Sequence, residues 1–171
     1  IAYYQNFIQE HPTITRAYLY LLDNLIDDGR LNEAKTVLER RCTVIEDCFN
    51  DFYRLLIHES THGFQATYKE YEIYLKENQE WQAYFLVAGR YASHGEYEKA
   101  IALFEKSFEL QPKPRYIDQL ESIAQLYLRM HQKNEAKHAY KRELELLKEE
   151  WHQDDSANVQ RVKALLAKCN R

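Results

Sequence analysis

Apolar residues recur along most of the chain every three or four positions, which is the spacing of one face of an α-helix. The stretch 83–112 has two such faces on either side of a turn at Gly95, and Pro112 ends the second. The two faces comprise Tyr84, Val87, Ala88 and Tyr91, then Ala100, Phe104 and Ser107. This pattern predicts two antiparallel helices joined by a short turn.

The same pair of faces recurs on both sides of this stretch. Downstream it comprises Leu120, Ile123, Ala124 and Tyr127, then Ala136 and Tyr140. Upstream it comprises Tyr18, Leu21, Leu22 and Leu25, then Gly29, Ala34 and Leu38. Between them, residues 47–80 carry a degenerate version whose turn falls near Gly63 and whose register is open by about three residues. One helix pair cannot bury its apolar face alone, so we expect successive pairs to stack into an all-α solenoid.

The order of residue types resembles the tetratricopeptide repeat, with Tyr84 in the place of its Trp and Ala88 in the place of its Gly. The resemblance implies an α–α superhelix of antiparallel helix pairs with a C-terminal capping helix. It predicts repeats over residues 13–46, 47–80, 81–114 and 115–150, the second helix of a truncated repeat over 1–12, and the capping helix over 155–170.

Both ends of the chain carry further signals. Tyr4, Phe7 and Pro12 have the offsets of a repeat's second helix, and the chain begins with Ile. We therefore expect a fragment of a longer protein. At the other end, Ser156 is a suitable N-cap for the last amphipathic segment.

The composition argues against some classes of fold and against some classes of partner. The 171 residues include only 4 Gly and 3 Pro, which argues against an all-β fold. The net charge of −4 comes without a strong basic stripe, so nucleic acid is not an expected partner. No apolar run is long enough for a membrane span, and we expect neither a signal peptide nor a membrane partner. The three cysteines, Cys42, Cys48 and Cys169, are odd in number and fit no C-x-x-C spacing, so we expect reduced thiols in a cytoplasmic protein.

The segment HESTH places His58, Glu59 and His62 in the H-E-x-x-H pattern of zinc peptidases. That chemistry requires both histidines on one face of a continuous helix, with the glutamate near the metal-bound water. Because the register places a turn at residues 60–63, we expect the helix to be broken there and the motif to be a coincidence. A zinc-dependent peptidase remains as an alternative, and we expect no cofactor.

The resemblance also implies a concave groove lined by the first helix of each pair. The residues that it places in this groove are Arg16, Leu19, Asp23, Asn50, Ile57, Gln82, Phe85, Gly89, Asp118, Glu121 and Gln125. Tyr53 or Arg54 joins them, depending on the register. We expect Leu19, Ile57 and Phe85 to be exposed apolar contacts, Arg16 to be nearly the only basic residue, and the C-terminal end to be acidic.

This groove implies a non-catalytic module that binds another protein or a peptide segment, as a scaffold or as the interaction or sensor domain of a larger protein. Two further possibilities stay open beside the peptidase: self-association, and an accessory or dimerisation role for an upstream enzyme.

Overall fold

The computed structural model describes residues 1–169, apart from the side chain of Cys48. Residue 170, the last position of the predicted capping helix, and the predicted role of the Cys48 thiol therefore lie outside the described residues. Ten α-helices and no strand occur in the described part of the chain: α1 (Ala2–Glu10), α2 (Thr15–Asp27), α3 (Leu31–Cys42), α4 (Cys48–His62), α5 (Phe64–Glu77), α6 (Trp81–Ser93), α7 (Tyr97–Leu110), α8 (Asp118–Arg129), α9 (Lys133–Glu149) and α10 (Ala157–Cys169). The predicted all-α solenoid of antiparallel helix pairs is confirmed. None of the described helices has the length and apolar character needed to cross a membrane.

The helices divide into two compact units, Ile1–Asn78 with α1–α5 and a second unit from Gln79 onward with α6–α10. In the first unit, α2 pairs with α3 and α4 with α5, and α4 also contacts α2. In the second, α6 pairs with α7 and α8 with α9, while α10 packs against α9. Within each unit, the helices form the stacked pairs that the repeating apolar faces predict.

Each helix pair turns at a residue with positive φ. Gly29, Gly63 and Gly95 have φ values of 70°, 86° and 82°, which glycine adopts without the steric cost of a Cβ. In the last pair the equivalent place is taken by His131, with φ of 60°. The sequence therefore marks three of the four turns by glycine, and the fourth has no such mark.

The first unit has a core of apolar residues that the helical spacing identifies correctly. Tyr18, Leu21, Leu22 and Leu25 are all fully buried on α2, and Ala34 is fully buried on α3. At the start of α4, Asp47 accepts a hydrogen bond from the Phe49 amide at 3.0 Å and so caps the helix. Asp47 also pairs at 2.6 Å with the guanidinium of Arg41, which is buried in the core although helical spacing alone does not predict it there.

In the second unit a polar contact holds three helices together. The Ser107 hydroxyl on α7 donates to the Trp81 carbonyl on α6 at 2.8 Å and accepts from Gln119 on α8 at 3.1 Å. Ala88, Ala100, Ala124 and Ala136 are completely buried, which lets the paired helices approach closely. The last helix begins where expected, because the Ser156 hydroxyl accepts from the Val159 amide at 3.3 Å.

Candidate binding groove

The H-E-x-x-H segment lies on a continuous helix, contrary to the prediction of a break at residues 60–63. Helix α4 runs through His62 because the turn is compressed into Gly63 alone, and α5 begins at Phe64. The rings of His58 and His62 therefore lie side by side, with centroids 4.2 Å apart. The helical requirement of the zinc motif is therefore met. Whether the segment could be a zinc-peptidase site or is a coincidental match then depends on the position of Glu59.

Glu59 does not share the histidine face. Its side chain is buried at 6% exposure, and its carboxylate accepts a hydrogen bond of 2.6 Å from the Tyr71 hydroxyl of α5. His58 instead contacts Glu70 through Nδ1 at 3.1 Å, and His62 Nδ1 lies 3.1 Å from the His58 carbonyl. No group of three His, Cys, Asp or Glu side chains within the described residues could hold a metal ion. The Glu59 carboxylate therefore links α4 to α5 and is not poised to activate a water beside the histidines.

Beside the histidine face, α3 and α4 border a cavity of about 320 Å³. Leu38 and Ile57 give it an apolar floor, while Lys35, Glu39 and Arg54 supply charges of both signs. The Arg54 guanidinium is already paired with Asp51 and lies 3.4 Å from the Cys42 sulfur. This mixed lining does not favour one class of ligand.

In the first unit the predicted groove residues on α2 lie at an accessible surface. Arg16 and Asp23 are exposed and Leu19 is partly exposed. The Tyr53 hydroxyl of α4 donates to Asp23 at 2.6 Å and lies 3.4 Å from the Leu19 carbonyl. Burial, with the neighbouring Asp23 carboxylate, raises the pKa of Tyr53, so the phenol stays protonated and donates. Of the two residues that the register left open, Tyr53 faces α2 and Arg54 faces α3.

Asn50 and Ile57 differ from the expectation of open groove positions, because both are buried. Asn50 is 7% exposed, accepts from the Arg41 guanidinium and donates to the Ile45 carbonyl at 2.7 Å. Ile57 is 5% exposed and belongs to the floor of the α3–α4 cavity, so its predicted exposure is wrong. Both follow from the orientation of α4, which directs Tyr53 towards α2.

In the second unit α6 and α8 border a slot of about 250 Å³, which we call the α6–α8 slot. Its lining comprises Gly89, Ala92 and Ser93 of α6, Phe104 of α7, and Ser122, Gln125, Leu126 and Arg129 of α8. The slot brings together two predicted groove residues, Gly89 and Gln125. It exists because the α6 wall consists of small residues, and a Cβ added at Gly89 would meet nothing within 4 Å.

The other predicted groove residues of this unit differ in their solvent exposure and in their contacts. Phe85 is partly exposed, with its ring edge-on to Phe104 at a centroid distance of 5.5 Å. Gln82 is partly exposed and Asp118 is exposed. Glu121 is paired with Arg161 of α10 at 2.7 Å, so the expected acidity of the C-terminal end is partly neutralised.

Two charged side chains at these surfaces were not among the predicted residues. Arg129 lines the α6–α8 slot and adds a basic residue to it. Its position in the last turn of α8 could have been found from the helical spacing. Arg161 could not, because it meets Glu121 across 40 residues of sequence.

The family comparison matches the tetratricopeptide repeat model to residues 82–114, the segment that forms α6, α7 and the start of the following loop. Residues 82–114 therefore match a tetratricopeptide repeat. The resemblance predicted from the aromatic, small and Tyr positions of this segment is thereby confirmed. No curated protein sequence matches the chain.

Solved structures of tetratricopeptide-repeat and similar proteins share the fold. A structure of MamA has a TM-score of 0.53 at 22% identity, with 85% of each chain covered. A tetratricopeptide repeat protein from Parabacteroides merdae has a TM-score of 0.63 at 16% identity, covering 98% of this chain and 62% of that one. PilF of Pseudomonas aeruginosa has a TM-score of 0.58 at 14% identity, covering 90% of this chain and 75% of that one. At these identities the likeness concerns the fold alone.

Proposed function

We propose that this tetratricopeptide-repeat protein is a non-catalytic module that binds an extended or helical segment of another protein, and that the α6–α8 slot is its principal binding surface. Such a module acts as a scaffold or as the interaction domain of a larger assembly. The tetratricopeptide fold supports the general role of protein interaction. The observation that carries the specific proposal is the open slot beside Gly89.

The slot has the chemistry of a peptide site. Phe104 and Leu126 are apolar and each 4% exposed, while Ser93, Ser122 and Gln125 offer hydrogen-bonding groups. A few polar groups within an apolar cleft orient a bound chain and give it specificity. Arg129 adds one positive charge, so a segment with an apolar anchor and an acidic neighbour fits best.

Because Gly89 has no side chain, a substitution at this position can block the slot. Gly89 lies inside α6 with ordinary helical φ, and the space beside it is empty, so a larger residue fits without strain. Arginine at this position would project its side chain into the slot. The helix itself would gain stability, since glycine is among the least favourable residues in a helix interior.

The experiment selects peptides from a random display library on the purified chain and measures their binding to Gly89→Arg by fluorescence polarisation. The matched control is Ala102→Arg, an exposed position on α7 that receives the same charge and bulk. We expect Gly89→Arg to weaken the selected peptides by at least about tenfold, equal to roughly 1.4 kcal/mol, and the control to leave them unchanged. Equal binding to both variants would exclude the slot as the working surface.

The cellular location is part of the same proposal. Cys42 and Cys169 are free thiols in the described structure, which suits a reducing compartment. We propose that this binding activity is cytoplasmic. Labelling of the native protein with a thiol reagent under non-reducing conditions tests this placement, and protection of either thiol as a disulfide contradicts it.

A further inference from the structure

A pair of exposed aromatic rings marks a second surface of the second unit. Tyr116 is 50% exposed and Trp151 is 37% exposed, and their ring centroids are 6.3 Å apart at an interplanar angle of 42°. On its other side, Tyr116 contacts Trp81 at 5.7 Å. Large aromatic side chains that are exposed and adjacent usually mark a contact surface.

Hydrogen bonds between the α7–α8 loop and the end of α9 hold the backbone beside the two rings and the Trp151 indole. Glu150 accepts from the Arg115 amide at 2.8 Å and from its guanidinium at 3.0 and 2.6 Å. In return the Trp151 indole donates to the Arg115 carbonyl at 2.6 Å. The Tyr116 amide donates to the Gln111 side chain at 2.6 Å. Because the rings are ordered before any partner arrives, binding there loses little conformational entropy.

A cavity of about 190 Å³ opens beside these rings. Ile117 and Leu147 add apolar surface to it, and Gln153 and Asn158 add side-chain amides. The one formal charge among the described lining residues is Asp118, and it is negative. The Asp118 side chain is exposed, and among the described residues its carboxylate has no hydrogen bond or ion pair.

Two cations of the α7–α8 loop are engaged by Glu150. Arg115 pairs with Glu150 at 2.6 Å and Lys113 lies 3.9 Å from the same carboxylate. The cavity also borders the amino-terminal ends of α8 and α10, which carry partial positive charge. Asp118 lies in the first turn of α8, and the Ser156 hydroxyl caps α10, so both ends already have a compensating group.

We infer that the cavity beside Tyr116 and Trp151 receives an arginine side chain from a partner protein. A planar guanidinium stacks on aromatic faces and forms paired hydrogen bonds with a carboxylate, so the two rings and Asp118 match its chemistry. The same unit contains an internal example, in which the Arg115 guanidinium lies 4.1 Å from the Phe108 ring centroid. None of the residues that line the α6–α8 slot lines this cavity, so the inference does not depend on the proposed function.

The test follows the Trp151 indole N–H resonance of ¹⁵N-labelled full chain by NMR, with the resonance assigned through Trp81→Phe. The probe is the capped tripeptide acetyl-Gly-Arg-Gly-amide. The comparison peptide carries citrulline, which keeps the shape of arginine and removes its charge. We expect a saturable shift with the arginine peptide and binding at least about fivefold weaker with citrulline.

Two variants separate the contributions of the site. Asp118→Asn keeps the size of the side chain and should weaken the arginine peptide about threefold to fivefold, because a charge-assisted pair is lost. Tyr116→Ala should abolish the shift, with folding verified by circular dichroism. Asp154→Asn, an exposed carboxylate outside the lining, should leave binding unchanged.

Three results would overturn the inference. The first is the absence of a saturable shift with the arginine peptide. The second is equal binding of the citrulline peptide or of the Asp118→Asn variant, which means that charge is not recognised. The third is tighter binding of choline than of the arginine peptide, which assigns the cavity to a small quaternary ammonium compound.

Discussion

Glu143 of α9 provides a stability prediction whose sign depends on pH. The side chain is completely buried, one carboxylate oxygen accepts from the Arg161 guanidinium at 3.0 Å, and the other has no hydrogen-bond partner among the described residues. Burial raises the pKa of Glu143 from 4.5 to about 7, while Arg161 opposes the rise. The environment of Glu143 therefore stabilises its ionised carboxylate less well than water does.

The size of the effect follows from this pKa difference. At roughly 1.4 kcal/mol per pKa unit, the difference between 4.5 and about 7 amounts to at most about 3.5 kcal/mol. Because the folded-state pKa lies above the unfolded value, the stabilising contribution is complete below pH 4.5 and is lost as the pH rises through 7. Above that pH the folded protein contains a buried charge that the unfolded chain exposes to water.

Glu143→Gln removes the charge and keeps the shape and an acceptor for Arg161. We expect the free energy of unfolding of this variant to exceed that of the parent by about 2 to 3 kcal/mol at pH 8.5 and to be nearly equal to it at pH 4.5. Urea denaturation followed by circular dichroism measures both values. The control is Glu145→Gln, an exposed neighbour on the same helix, which should change little at either pH.

Equal or lower stability of Glu143→Gln at pH 8.5 would refute this reasoning. It would mean that Arg161 compensates the buried carboxylate fully. A ¹³C titration of the Glu143 carboxyl provides the direct check, since the account requires a midpoint near neutral pH.

Three smaller predictions concern single positions, each measured by urea denaturation. His131→Gly should stabilise the protein by about 1 kcal/mol, because glycine adopts the positive φ of this turn without a steric cost; a loss of stability contradicts this. Gly89→Ala should add about 0.5 to 1 kcal/mol, since the new methyl group meets no atom within 4 Å, and a destabilised variant would show a clash. Tyr71→Phe should cost about 1 to 2 kcal/mol through the lost hydrogen bond to buried Glu59, and an unchanged protein would show that this contact carries no stability.

The fold was predictable because its strongest signals are local. Gly29, Gly63 and Gly95 mark three turns, and the three-to-four spacing of Tyr18, Leu21 and Leu25 identifies a buried helix face. The prediction of a helix break within the H-E-x-x-H segment was wrong, also for a local reason. A single Gly63 reverses the chain, so α4 keeps the residues that a longer turn would have used.

The sites were less predictable because they depend on contacts between distant residues. Nothing local to Asn50 shows that Arg41 is buried beside it, and nothing local to Glu121 shows that Arg161 neutralises it. Helical spacing identifies which residues share a face. Helical spacing does not show which of those faces is covered by another helix. A groove residue is available to a partner only if its face is not covered.

The central claim is that the α6–α8 slot binds a peptide segment. The most direct test maps the amide chemical-shift changes of the ¹⁵N-labelled chain on adding a library-selected peptide. The account predicts that the largest changes fall on Gly89, Ser93, Ser122 and Gln125 and disappear in Gly89→Arg. Changes that cluster elsewhere and persist in that variant would contradict it.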